Sequence, residues 1–299
     1  MLGIEKNGKV NTANTVPHSG AVLMFQTTAP RSRVGSAVYI AELIYHNAVR
    51  SVRKTHGNAF MAIFMNMLQT IIFVLAFYFM FQILGMRGTA VRGDFMVYIM
   101  TGVFLYMTHT KTLSAVLGSE GPASPMMQHA PMNTAISIAA AMLSTLYVQV
   151  LSLFAIIFVY DVAFNPFVMD EIYDPIGCMA MVLLAWFSGA AIGMVFLAAK
   201  PWFPTPVNII STVYQRANMI ASGKMFVANT LPGYMLVMFD WNPLFHAIDQ
   251  SRGHAFINYN PRNSDWEYAF YLSIALIMVG LMGEFYTRKH ASASWGARR

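Results

Sequence analysis

Three residues of metal-binding type, His246, Asp249 and His254, fall within one short stretch of the chain. Ligands three apart can share a helix face, as His246 and Asp249 would. His254 stands five residues beyond Asp249 and leaves that face, so polar residues on an amphipathic helix are the better reading. His109 and His129 have no carboxylate or cysteine beside them in the chain and no nucleophile motif, so a Ser-His-Asp arrangement has nothing to build on. The single cysteine, Cys178, lies in an apolar run, which rules out an internal disulfide and argues against a reactive thiol. The stretch "ASGKMF" resembles a phosphate loop only in part: the first glycine is missing and Met225 stands where Ser or Thr is needed. Any ATP-driven work therefore requires a second chain.

Ion-coupled transport usually leaves carboxylates near the middle of membrane spans, and the predicted spans hold none there. Their cations are Lys111, expected to snorkel to the cytoplasmic edge, Lys224, expected near the outer edge, and Arg216. At ~1.5 Å per residue, Arg216 falls near the centre of the predicted fifth span. Two readings stand for it. It meets an anionic substrate, or it serves the fold by capping carbonyls of a broken helix or pairing with a carboxylate such as Asp240. Aromatic residues, among them Phe73, Phe77 and Tyr106, recur along the spans. They pack on lipid and neighbouring helices, or they form a lining on which sugar rings slide.

These residues are positioned by membrane helices. The chain is 57% hydrophobic and 11% charged, whereas soluble domains carry roughly a quarter charged residues. Apolar runs predict six spans at about 59–84, 95–117, 133–160, 176–199, 206–226 and 268–287, each long enough for a hydrocarbon core ~30 Å thick. Residues 1–35 read as a disordered cytoplasmic tail and 36–299 as one membrane domain. Before the first span, Glu42, His46, Arg50 and Arg53 share a helical stripe, and Lys54 adds to its basic end. That helix lies in the membrane interface near lipid phosphates, or packs on another subunit in the cytoplasm.

The net charge of +6 comes from basic residues gathered at the two ends, a pattern of membrane orientation rather than of nucleic-acid binding. It places both termini in the cytoplasm. The acidic loop with Asp161, Asp170, Glu171 and Asp174 then lies outside, while Arg87 and Arg92 run against the rule.

Between the last two predicted spans lies "NPLFHAIDQSRGHAFINYNP". Asn242 suits the cap of a helix and Pro243 its first turn. Leu244, Ala247, Ile248 and Ala255 share one face, and His246, Asp249 and Gly253 another, so the helix is too polar to cross a bilayer. Asp249 and Arg252 are expected as an exposed pair.

Three stretches together resemble the permeases of ABC-2 type transporters, particularly those exporting capsular polysaccharide. They are "VYIAELIYHNAVRSVRKTHGN", similar to that family's interface helix; "GSEGPASPMMQHAPMNTAISIAAAML", where the family places its coupling helix; and the "NPLFH…R" segment. The resemblance implies an all-α integral membrane protein of six transmembrane helices. It adds short re-entrant gate helices before the last span, with His246, Asp249 and Arg252 on the gate. It also implies coupling to the ATPase through Met126, Met127, Gln128 and His129.

The implied partners are cytoplasmic ATPase subunits carrying ATP and magnesium, a second copy of the chain, a lipid-linked polysaccharide and envelope export proteins. The implied location is a bacterial inner membrane. No cofactor is expected in this chain itself. O-antigen and teichoic-acid permeases share the plan. A secondary transporter and an intramembrane lipid-modifying enzyme are the readings from other classes.

Overall fold

A computed structural model describes residues 33–54, 59–83, 85, 91, 93–121, 133–163 and 168–290. The expected tail, Arg87, Arg92 and the coupling residues Met126, Met127, Gln128 and His129 lie outside the described residues. The chain divides into a short unit, Met1–Ile40, and a main unit, Ala41–Arg299. The described part of the first is helical, the start of α1 (Arg33–Lys54). Arg50 is exposed on α1; the side chains of Arg53 and Lys54 lie outside the described residues.

Every regular element among the described residues is a helix, and none is a strand. In the main unit, α2 (Ala59–Ile83) is followed by a continuous helical run made of α3 (Phe95–Ile99), a π-helical turn (Met100–Phe104) and α4 (Leu105–Leu117). Next come α5 (Thr134–Ala163), α6 (Pro175–Ala199), α7 (Pro204–Ala221), the single turn α8 (Gly233–Leu236), α9 (Pro243–Ala255) and α10 (Trp266–His290).

Among the described residues four stretches are long and apolar enough to cross a membrane: Ile63–Ile83, Thr134–Val162, Pro175–Ala199 and Trp266–His290. The other two predicted spans differ for physical reasons. Phe95–Leu117 is helical throughout but is interrupted by the π turn and carries Thr101, Thr108, His109, Thr110, Lys111 and Thr112. The predicted fifth span ends at Ala221 rather than residue 226, because Gly223 turns the chain at φ 74°. Its 18 residues reach only about 27 Å.

Helix starts follow local chemistry. Asp94 accepts from the backbone N–H groups of Met96 and Val97 at 2.7 and 3.1 Å, and its second oxygen accepts from the Tyr160 hydroxyl at 2.8 Å, tying the end of α5 to the start of α3. Asn242 caps α9 through Leu244 N–H at 3.1 Å, with Pro243 next, as the sequence suggests. The core lies along the π turn, α4, α6 and α9, where Phe104, Leu113, Ala185, Leu244 and Ile248 are fully buried. α4 and α6 approach so closely that a Cβ on Gly189 would stand 2.4 Å from the carbonyl oxygen of His109. Only glycine fits there.

Candidate functional site

Helix α9 is buried along most of its length, with only Gln250, Gly253 and His254 half-buried. His246, Asp249 and Arg252 are 6%, 1% and 1% exposed, which corrects the expectation of an exposed Asp249–Arg252 pair. Each side chain instead finds partners of its own, as burial demands, with Arg252 Nε alone of their polar atoms left without one. The Asp265 backbone N–H donates to His246 Nδ1 at 2.9 Å, so Nε2 carries the proton and donates to the Asp240 carbonyl. Asp249 accepts from the hydroxyls of Tyr259 and Ser264.

Arg252 caps α7 from across the fold. Its Nη1 donates to the carbonyls of Gly223, at 3.0 Å, and Phe226, and its Nη2 to that of Lys224 at 2.9 Å. Carbonyls just past a helix end have no partner within the helix, and a planar guanidinium satisfies three at once. The guanidinium also lies over the Tyr98 ring, 4.5 Å from its centroid. The π turn brings Gly102 to this point, where a Cβ would meet the Lys224 carbonyl at 2.8 Å and Arg252 Nη2 at 3.1 Å. The capping of a broken helix that the sequence suggested for Arg216 is thus carried by Arg252.

Lys224, whose backbone Arg252 holds, is itself fully buried, and its ammonium has no hydrogen-bond partner. It sits over three rings, 3.7 Å from the Tyr106 centroid, 4.4 Å from Phe77 and 5.3 Å from Phe73. These are cation–π distances. The three aromatic residues singled out in the sequence therefore come together, and what they surround is a lysine of the same chain.

Below this cage, along the same helix faces, the lining turns polar. On α2, Asn66 and Thr70 stand two turns and one turn before Phe73; on α4, Thr110 and Ser114 follow Tyr106 at four-residue steps. A cavity of about 610 Å³ opens among α2, α4, α5 and α7, lined by Gln69, Thr110, Ser114, Thr145, Gln149 and Gln215 with others. Lys111 does not reach away from it: its ammonium donates to the Asn66 side chain and to Thr70 Oγ1, the latter at 2.8 Å. Gln149 is 1% exposed, and its side-chain oxygen has no partner. Ser114 donates to Gln215 Oε1 at 3.0 Å and Tyr106 to the Gln215 carbonyl at 3.1 Å, joining cage and cavity. Arg216 is exposed on α7, next in sequence to Gln215, whose carbonyl accepts from Tyr106.

His109 links three helices. Ser188 donates to the Ala185 carbonyl, so its oxygen accepts from His109 Nδ1 at 3.0 Å, and Tyr214 lies 3.2 Å from Nε2. At the far end of α9, His254 Nδ1 is 2.9 Å from the Asp174 carboxylate, and the Tyr173 and Asp174 N–H groups bond to the carbonyls of Ala255 and His254. The Gly177 N–H, followed by His254, holds the Asp174 carboxyl below its ordinary value. Among the described residues no group of three metal-ligating side chains gathers.

Attention to formal charge missed most of this site. The available signal was uncharged: Asn66, Gln69 and Thr70, then Ser144, Thr145 and Gln149, recur at helical spacing inside otherwise apolar runs. Compared with known protein families and with curated proteins, the chain matches none.

Proposed function

We propose that this chain is the membrane permease subunit of an ATP-driven exporter of a capsule-type, lipid-linked, anionic polysaccharide. The observation that carries the reading is the seam along α2, α4 and α7, a cavity whose polar lining is hydroxyls and amides, beside the ring cage that Lys224 fills. Hydroxyl and amide groups exchange hydrogen bonds with sugar hydroxyls without fixing one sequence of sugars. Arg216, exposed on α7 next to Gln215, supplies the cation for acidic groups.

In this reading Phe95–Leu117 and Pro204–Ala221 join the four apolar helices to give six spans with both termini in the cytoplasm. The α8–α9 excursion is a re-entrant gate at the outer side. Polar backbone at membrane depth is tolerated where protein covers it, and α9 is so covered. Two copies with two ATPase chains form the transporter, gripped at Met126–His129. O-antigen and teichoic-acid export use the same parts and remain the alternatives within the class.

The test is reconstitution. The purified chain in proteoliposomes is expected to hydrolyse no ATP, and export of lipid-linked glycan is expected only with a partner ATPase. Cysteines at Met127 or His129 should crosslink to that ATPase. ATP turnover by the chain alone, or labelling of either cysteine from the outside of cells, overturns the reading.

A further inference from the structure

A second cavity lies on the other side of the bundle. It has a volume of about 490 Å³ and runs between α5 and α6, floored by the α3–π–α4 run and by Ser251 and Ala255 of α9. Its walls are almost wholly apolar. Three wall residues also stand on the outer surface of the two helices: Phe154, 54% exposed, Ile176, 83%, and Leu183, 41%. Since α5 and α6 are two of the helices apolar enough to cross a membrane, the cavity is continuous with a lipid-facing surface.

Its axis follows the helices. At one end stand Val97, Tyr160, Ile172 and Pro175, and at the other Leu105, Leu153 and Leu183. The seven to eight residues between those ends on each helix correspond to ~12 Å. A slot of that length, parallel to spanning helices and lined by apolar side chains, has the shape and direction of a lipid chain rather than of a compact ligand.

Of the hydroxyls in the lining, Thr101 donates to the Tyr98 carbonyl and Tyr160 to Asp94, which leaves Ser251. Ser251 is fully buried and its hydroxyl has no hydrogen-bond partner. Helical hydroxyls normally donate to a carbonyl three or four residues back. Thr70, Thr108, Thr112, Ser152 and Ser273 all do so here. Ser251 does not. It stands one turn inside the His254–Asp174 contact, near the Pro175 end of the slot. An unmet donor at one end of an apolar slot asks for a single acceptor carried at the end of a chain.

We infer that this slot binds one acyl chain of a bilayer glycerophospholipid, its ester carbonyl accepting from Ser251 and its methylenes lying against Leu153, Met179 and Leu183. The Ser251 end is then the ester-region end and the Leu183 end the deeper one. The site is separate from the polar seam, and it stands whether or not the chain is a permease, since it needs only membrane helices.

The experiment uses the full chain in nanodiscs containing a trace of phosphatidylethanolamine with a diazirine on the acyl chain. Crosslinks are expected in the peptides holding Leu153 and Met179–Leu183, and unlabelled ester phospholipid should compete them away. Labelling of the exposed α10 face at Met278 and Met282 should resist competition, as for annular lipid. Met179→Trp, which adds bulk to the wall, should abolish the competed fraction while leaving α10 labelling unchanged. Competition by ester phospholipid should exceed that by its ether analogue by roughly 2- to 10-fold, the span expected for one hydrogen bond. That preference should vanish in Ser251→Ala, a change small enough to leave the fold intact. Slot labelling no more competable than that of α10 overturns the inference, as does an ester preference that is absent or survives in Ser251→Ala.

Discussion

Arg252 Nη2 lies 2.9 Å from the carbonyl oxygen of Lys224, so one buried cation fixes the backbone that carries another. The first is answered by three carbonyls. The second has only aromatic faces. Holding the chain at residues 223–226 is what keeps an unpaired ammonium inside the cage, and the two residues should respond to substitution in opposite ways.

Arg252→Met should be strongly destabilising. It leaves the Lys224 and Phe226 carbonyls without a donor and the Gly223 carbonyl with only the Phe226 N–H, and a buried carbonyl left without a donor costs about 1–3 kcal/mol. Arg252→Lys should recover part of the loss, since an ammonium reaches fewer of the three in the right plane. Thermal unfolding of the purified protein in detergent measures this, and melting equal to wild type in Arg252→Met would contradict the capping role.

Lys224→Met should be neutral or stabilising. It replaces a desolvated ammonium that has no hydrogen bond with an apolar chain of similar length, in a cage of rings. If the ammonium is kept for transport, export should fall while the melting temperature holds or rises. A parallel loss of both would show that the cation–π contacts stabilise the fold.

Gly102→Ala should damage the same junction from the other side. The added methyl would stand 2.8 Å from the Lys224 carbonyl, a backbone atom fixed by Arg252. Overpacking of this kind costs about 1–3 kcal/mol. Combined with Arg252→Met the loss should be less than additive, since both act on one contact, and a full double-mutant cycle reads that coupling.

Acid should loosen α9 at its far end. Asp174 has its carboxyl held below the ordinary value, first by the Gly177 N–H and then by His254. A lowered folded-state value stabilises above the ordinary one, and the contribution is lost as pH falls through the lowered value. The window therefore lies below about pH 4. Hydrogen exchange at Gly177 should accelerate there, and Asp174→Asn should remove the pH dependence.

Arg216→Gln should leave folding and assembly intact and reduce export of an anionic polymer, with Arg216→Lys restoring part of it. The side chain is exposed on α7, so its removal uncovers no buried partner. Normal export by an assembled Arg216→Gln protein would take Arg216 out of the pathway.

Local chemistry and periodicity in the sequence were enough for the helical class, the four apolar helices and the start of α9. An Asn-Pro pair caps a helix wherever the chain later goes, and a run of twenty apolar residues has few homes outside lipid. The break after α7 was not legible, because Gly223 leaves the helix only where Arg252, 29 residues on, receives the freed carbonyls. Nor was the burial of α9. An amphipathic pattern is read as one face in water, whereas here Tyr259, Ser264 and backbone groups cover the polar face. Phe73, Phe77 and Tyr106 were chosen for their ring type, but which cation they face depends on three helices and a loop meeting in space. Side-chain type and spacing determine what each residue can do; long-range packing decides which of those partners it meets.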